Sequence, residues 1–95
     1  MLLEIVTVSR KTPKDGRLLI TPGTAAALRA LGDDVPLATP GGYSRARVTS
    51  MTCTCGSESA GPHEHHFVES PLLMSLPPGT DVRLEIDVTG RLVIS

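Results

Sequence analysis

A chain of 95 residues with a formal charge of −1 has room for one compact domain and lacks the basic excess that draws proteins to nucleic acid or membrane surfaces. It has no Trp, one Tyr and one Phe, so its core is aliphatic and small, and a staple such as a metal ion or disulfide adds usefully to its stability. The charge is uneven: residues 1–47 carry seven Lys/Arg against four Asp/Glu, net +3, and residues 48–95 carry two against six, net −4.

Leu2–Val8 is rich in Leu, Ile and Val and reads as the first strand. The opening Met1-Leu2-Leu3-Glu4 has neither a basic leader nor a long apolar run, which predicts no secretory signal, no membrane anchor and a cytoplasmic protein. Arg10-Lys11-Thr12-Pro13-Lys14-Asp15-Gly16 is a basic connection of turn residues, predicted to fold the next strand, Arg17–Ile20, back on the first as a hairpin. Thr21-Pro22 has the form of a helix N-cap with Pro in the first turn; Ala25–Leu31 supplies helix formers, and Gly32 ends them. Val35–Ala38 reads as a strand, Pro40-Gly41-Gly42 as a turn, Tyr43–Cys55 as a long extended stretch and Gly56–Pro62 as a loop.

From His63 the order recurs. His66–Glu69 is a strand, Ser70-Pro71 repeats the cap, Leu72–Leu76 makes about one helical turn, and Pro77-Pro78-Gly79 stops it. Asp81–Val88 alternates, with Val82, Leu84, Ile86 and Val88 on one face, and Thr89-Gly90 turns it into a closing strand, Arg91–Ile94. The prediction is a single domain over residues 1–95, mainly β with two short helices (α+β), arranged as a pseudo-symmetric barrel with a helix at each end.

Gly16-Arg17-Leu18-Leu19-Ile20…Ala27-Leu28-Arg29-Ala30-Leu31-Gly32-Asp33 resembles the AbrB-type swapped-hairpin unit, as does Leu76-Pro77-Pro78-Gly79-Thr80-Asp81-Val82…Gly90-Arg91-Leu92-Val93-Ile94. The likeness spans about half the chain. It implies an intertwined barrel of two units and a DNA-binding regulator using basic loop residues, here Arg10, Lys11, Lys14 and Arg17. The second copy departs from the pattern in having Gly79-Thr80-Asp81 for adjacent Gly-Asp, and the pattern has no Cys/His hairpin.

That hairpin carries the clearest chemical signal. Cys53 and Cys55, then His63, His65 and His66, place soft thiolates and imidazoles within one short stretch, which is the donor set of a zinc-type ion. A Cys53–Cys55 disulfide would close a very tight ring, with a Cα separation near the upper limit for bridging, so thiols are expected. Pairing Cys55 with His63 across a metal-binding hairpin, residues 48–69, puts Cys53 opposite His65 and Met51 opposite Phe67. All four candidate ligands then share a face, and His66 points to the other face beside Thr52 as an alternative ligand.

Four protein ligands leave no place for water, so the expected site is structural: one zinc ion per chain, held by Cys53, Cys55, His63 and His65, in a binding or adaptor module and not an enzyme. Its expected partner is another protein or a second copy, with nucleic acid as the alternative. An open coordination position would instead make a metal-dependent enzyme, with His66 or Glu64 as acid or base, and an exposed Cys-x-Cys pair a metal carrier.

Overall fold

The computed structural model describes residues 1–53 and 63–95. Its strands are β1 (Leu2–Thr7), β2 (Arg17–Ile20), β3 (Asp34–Thr39), β4 (Gly42–Cys53), β5 (His63–Glu69), β6 (Asp81–Ile86) and β7 (Leu92–Ile94). Two helices, α1 (Thr12–Asp15) and α2 (Pro22–Arg29), and a 3₁₀ turn over Pro71–Ser75 join them. All seven strands belong to one sheet of order β1-β6-β7-β3-β4-β5-β2, curled into a nearly closed barrel. The mainly-β, barrel-like α+β domain read from the sequence is therefore the fold. No helix among the described residues is long and apolar enough to cross a membrane.

The barrel forms around alternating apolar positions. Leu18, Leu37, Val68, Leu84 and Leu92 are each no more than 1% exposed and point inward from five different strands. α2 adds Ala25 and Leu28, and the 3₁₀ turn adds Leu73, all fully buried, so these two segments cover what the sheet leaves open. Burying one such Leu side chain stabilises the fold by roughly 1.5–3 kcal/mol. Both segments begin as the sequence indicates. Thr21 accepts from the Thr24 N–H at 3.4 Å and Ser70 from the Leu72 N–H at 3.3 Å, each followed by Pro.

The two halves repeat in element order, β2-α2-β3-β4 against β5-3₁₀-β6-β7. Their first strands pair antiparallel, and a parallel β3·β7 contact joins the hairpins. The repetition stops there: β4 pairs with β5, whereas β7 does not pair with β2, and β1, which has no counterpart, takes the edge of β6.

Two local expectations are corrected. The predicted hairpin between the first two strands does not form, because β1 pairs with β6 and β2 with β5. The basic connection is also more than a turn. It contains α1, where the buried Thr12 hydroxyl donates to the Arg17 carbonyl at 2.7 Å and Asp15 accepts from the Arg17 N–H at 3.0 Å. These bonds use up the main-chain groups that the first rung of a β1·β2 hairpin would need. At the other end of the chain β6 stops at Ile86, and Val88 is fully exposed instead of joining the inward face. Asp87 causes this by accepting from the N–H groups of Thr89 (2.9 Å) and Arg91 (3.0 Å) and from the Thr89 hydroxyl, which winds residues 87–91 into a turn.

Gly16 joins α1 to β2 at the point where the 3₁₀ turn crosses. Its φ is +68°, and a Cβ there would lie 2.8 Å from the Ser70 carbonyl oxygen. Its own carbonyl accepts from the Ser70 N–H at 3.0 Å, so the two backbones cannot separate without losing a bond. Gly16→Ala is expected to destabilise the protein by about 2 kcal/mol, read as a lower urea midpoint with an unchanged m-value.

Candidate functional site

β5 is the element that organises the site. It lies between β2 and β4, and its residues alternate between two chemically different faces. On the inner side Val68 is fully buried and His66 is 8% exposed. His66 Nδ1 lies 2.9 Å from Ser50 Oγ on β4, and the Arg29 guanidinium of α2 donates to that same Ser50 oxygen. His66 Nε2 lies 3.8 Å from the Glu64 carboxylate. Arg29, Ser50, His66 and Glu64 thus form a polar chain tying α2 to the β4–β5 hairpin.

On the outer side the same strands present Arg17 and Leu19 from β2, Phe67 and His65 from β5, and Met51 from β4. The Arg17 guanidinium lies 2.5 Å from Glu69 and 5.9 Å from the Phe67 ring centre, while the Phe67 and His65 rings are 6.5 Å apart and tilted by 49°. Leu19 and Met51 are about half exposed, and Ile5 on β1 is 60% exposed, so this side is unusually apolar for a solvent-facing surface.

The β4·β5 ladder pairs Cys53 with His63, Met51 with His65, Thr49 with Phe67, Ser50 with His66 and Val48 with Val68. The expected register, Cys55 opposite His63, is corrected by two residues. Alternation has a period of two, so it fixes which side of a strand faces the core but not which of two registers of equal parity is adopted. Val48 opposite the fully buried Val68, together with the Ser50–His66 hydrogen bond, favours the observed one; the alternative would set Val68 against Ser50. His66 lies on the opposite face from His65, as the alternation required, but bonds Ser50 and not Thr52.

Of the candidate zinc ligands, Cys53 and His63 therefore meet at one rung and His65 follows two residues along β5. Cys55 lies outside the described residues, as do the side chains of Cys53 and His63. Among the described residues no group of three or more His, Cys, Asp or Glu side chains is placed to hold a metal ion. Cys53 and His63, on facing strands, form the last rung of the described ladder. His66, committed to Ser50 on the inner side, is separated from that rung. Of the four basic residues, Arg17 is engaged by Glu69, whereas Arg10, Lys11 and Lys14 are exposed and take part in no salt bridge among the described residues.

A seam runs between β1 and β2, the terminal strands of the sheet. One cavity of about 620 Å³ is lined by Val6, Thr7, Lys11, Leu19, Met51 and Phe67 among others. A second, of about 330 Å³, is lined by Glu4, Ile5, Leu19, Ile20, Thr21 and Glu64 among others. They share Val6, Leu19 and His65, so they adjoin along the seam. Glu4 bridges the seam at its α2 end: its carboxylate accepts from the Thr21 N–H (3.0 Å), the Thr21 hydroxyl (2.7 Å) and the Thr24 hydroxyl at the start of α2. Nothing in the sequence marks Glu4 or Ser50 for these roles, since both partners are distant in the chain. An exposed Leu at position 19 is equally hidden in Leu18-Leu19-Ile20, where three apolar residues in a row leave the outward one unidentified.

Comparison of the chain with protein-family models, curated proteins and solved structures finds no match. What the fold and site define is a class, a small barrel-like β domain with a Cys/His-rich hairpin and an apolar seam.

Burial raises the Glu4 carboxyl, but its hydrogen bonds from Thr24 and Thr21 outweigh this and leave it below the ordinary carboxylate range. A carboxyl held lower in the folded than in the unfolded chain stabilises the fold above the unfolded value and loses that contribution as pH falls through the folded one. Between pH 6 and 3 the urea midpoint of wild type is expected to fall more steeply than that of Glu4→Gln, the two curves converging at the acid end. Parallel curves would mean that the bridge adds no pH-dependent stability.

Proposed function

We propose that the protein is a small zinc-binding module in which Cys53, Cys55, His63 and His65 hold one ion at the end of the β4–β5 hairpin, and that it serves as a binding or adaptor domain for a protein partner. The observation that carries this reading is the ladder register. Cys53 and His63 occupy facing positions on one rung, His65 follows two residues along β5, and Cys55 is two residues from Cys53 in the sequence. Four N and S donors satisfy the tetrahedral preference of zinc and leave no site for water, so the ion acts as a staple and its binding energy adds to folding. A chain with one Phe, one Tyr and no Trp gains from such a staple at the far end of its longest hairpin.

The binding role is supported by the half-exposed apolar side chains of Leu19, Met51 and Ile5 around the seam. A DNA-binding role receives less support, because Arg17 is neutralised by Glu69 and only Arg10, Lys11 and Lys14 are left in the basic connection.

Untagged protein purified without added metal is expected to contain one zinc per chain by elemental analysis, with Cys53→Ser and His65→Ala both losing it. Free zinc at 100 times its dissociation constant should raise apparent stability by about 2.7 kcal/mol over the chelated form. Protein free of transition metal, with the same melting temperature before and after chelator, would overturn the reading.

A further inference from the structure

The phase of each ladder shows which main-chain groups of β1 and β2 face the seam. The Val8 N–H donates to the Thr80 carbonyl at 2.8 Å, so the even residues Val8, Val6 and Glu4 bond toward β6 while Ile5 and Thr7 turn their N–H and C=O groups outward. The Arg83–Ser95 bonds agree, since they show the odd residues of β6 bonding toward β7. In β2 the Ser70 N–H donates to Gly16, so Gly16, Leu18 and Ile20 bond toward β5, and Arg17, Leu19 and Thr21 face the seam. Arg17 is capped there by Thr12 and Asp15, and the Thr21 N–H by Glu4. Among the described residues, main-chain groups without a partner therefore remain on both banks, at Ile5 and Thr7 on one side and at Leu19 on the other.

Strand edges left open to solvent are places where a further strand can pair, and folded proteins ordinarily cover, charge or shorten them. The open edge of β1 is short, Ile5 to Thr7, and carries no charge or proline, the adjoining Glu4 being committed to Thr21 and Thr24; beside it lie the apolar side chains of Leu19, Met51 and Phe67. At the α1 end of the seam the charged groups are mixed, with the cations in excess. Lys11, Arg17 and Asp15 all line the larger cavity; Arg17 is paired with Glu69 and Asp15 accepts from the Arg17 N–H, so Lys11, with Arg10 and Lys14 close by in sequence, is the cation there that takes part in no salt bridge among the described residues.

From these observations we infer that the seam is a strand-acceptor site: it takes one extended peptide, with apolar side chains at alternate positions and an acidic residue at the Lys11 end, which pairs with the free edge of β1. This gives the binding-module reading a particular partner chemistry and rests on that reading, but not on the ion. Main-chain bonds to Ile5 and Thr7 supply affinity that is blind to sequence; the apolar strip and Lys11 supply selectivity. Antiparallel addition sets the acidic residue ahead of the apolar ones, because Thr7 lies at the C-terminal end of β1, next to α1. Both banks of the seam belong to one sheet, at its two ends, so a lone extended segment is proposed in preference to the edge of a second folded sheet.

The test uses the full chain, loaded with zinc and again after chelation, and two labelled synthetic peptides: two acidic residues followed by alternating Val and Thr, and the same peptide with Lys in place of the acids. Fluorescence anisotropy should show the acidic peptide binding at least tenfold more tightly than the basic one, with Lys11→Glu abolishing or reversing that preference. Ile5→Pro removes an outward N–H without touching the β1·β6 ladder and should weaken binding tenfold or more. Leu19→Asp, which keeps every main-chain bond, should do likewise and serves if the proline variant melts early. Binding unchanged by chelation or by Cys53→Ser would leave this inference standing even if the zinc reading fell. No binding at millimolar peptide, or equal affinity for wild type and both variants, would overturn it. So would a concentration-dependent dimer, abolished by Ile5→Pro, that the peptide does not disperse.

Discussion

Glu4 reaches across a gap that no main-chain ladder spans, and the shape of the functional end of the molecule depends on that gap. Five of the seven strands have neighbours on both sides; β1 and β2 have one each and face one another across the seam. They are consecutive and antiparallel, the arrangement that ordinarily gives a hairpin. The hairpin is prevented locally, because α1 supplies Thr12 and Asp15 to the main-chain groups of Arg17, and the Thr21 N–H that would form a later rung goes to the Glu4 carboxylate instead. The barrel is thus held shut at one end by a side-chain bridge and at the other by a helical connection, with an apolar opening between.

The β4–β5 hairpin has a different role on each of its faces. Inward, His66 and Ser50 join Arg29 and so fix the hairpin against α2. Outward, His65 and Met51 border the larger cavity. The rung of Cys53 and His63 lies just beyond, at the end of the described ladder. A zinc ion there would pin the two strands at the point where the barrel no longer supports them, and would hold the outward face, including His65, in one geometry. The proposed ion site and the seam are distinct places on this hairpin that share the outward side of β5.

Much of the fold is legible in the sequence because it depends on local signals. Thr21-Pro22 and Ser70-Pro71 announce their caps, and Gly41-Gly42 and Thr89-Gly90 their turns. The apolar alternation of Val82, Leu84 and Ile86 announces a half-buried strand. What escapes is set by contacts between distant residues. The pairing of β1 with β6 and the Glu4 bridge to Thr21 and Thr24 leave no trace in local pattern, and the β4·β5 register differs from the expected one by a shift to which alternation is blind. Val88 continued the alternation perfectly and was still excluded, because the Asp87 side chain had already committed the backbone to a turn. For the site, residue type pointed to the Cys/His rung, whereas the seam arises only once the strand order is known.

Amide hydrogen exchange on the isolated protein is the most direct test, because it reads which N–H groups of β1 and β2 lack a partner. The Ile5, Thr7 and Leu19 amides should exchange on the order of 100-fold faster than those of Val6, Val8, Leu18 and Ile20, their immediate neighbours in the ladders. Equal protection along both strands would mean that β1 and β2 are hydrogen-bonded to one another, and the open seam would not exist.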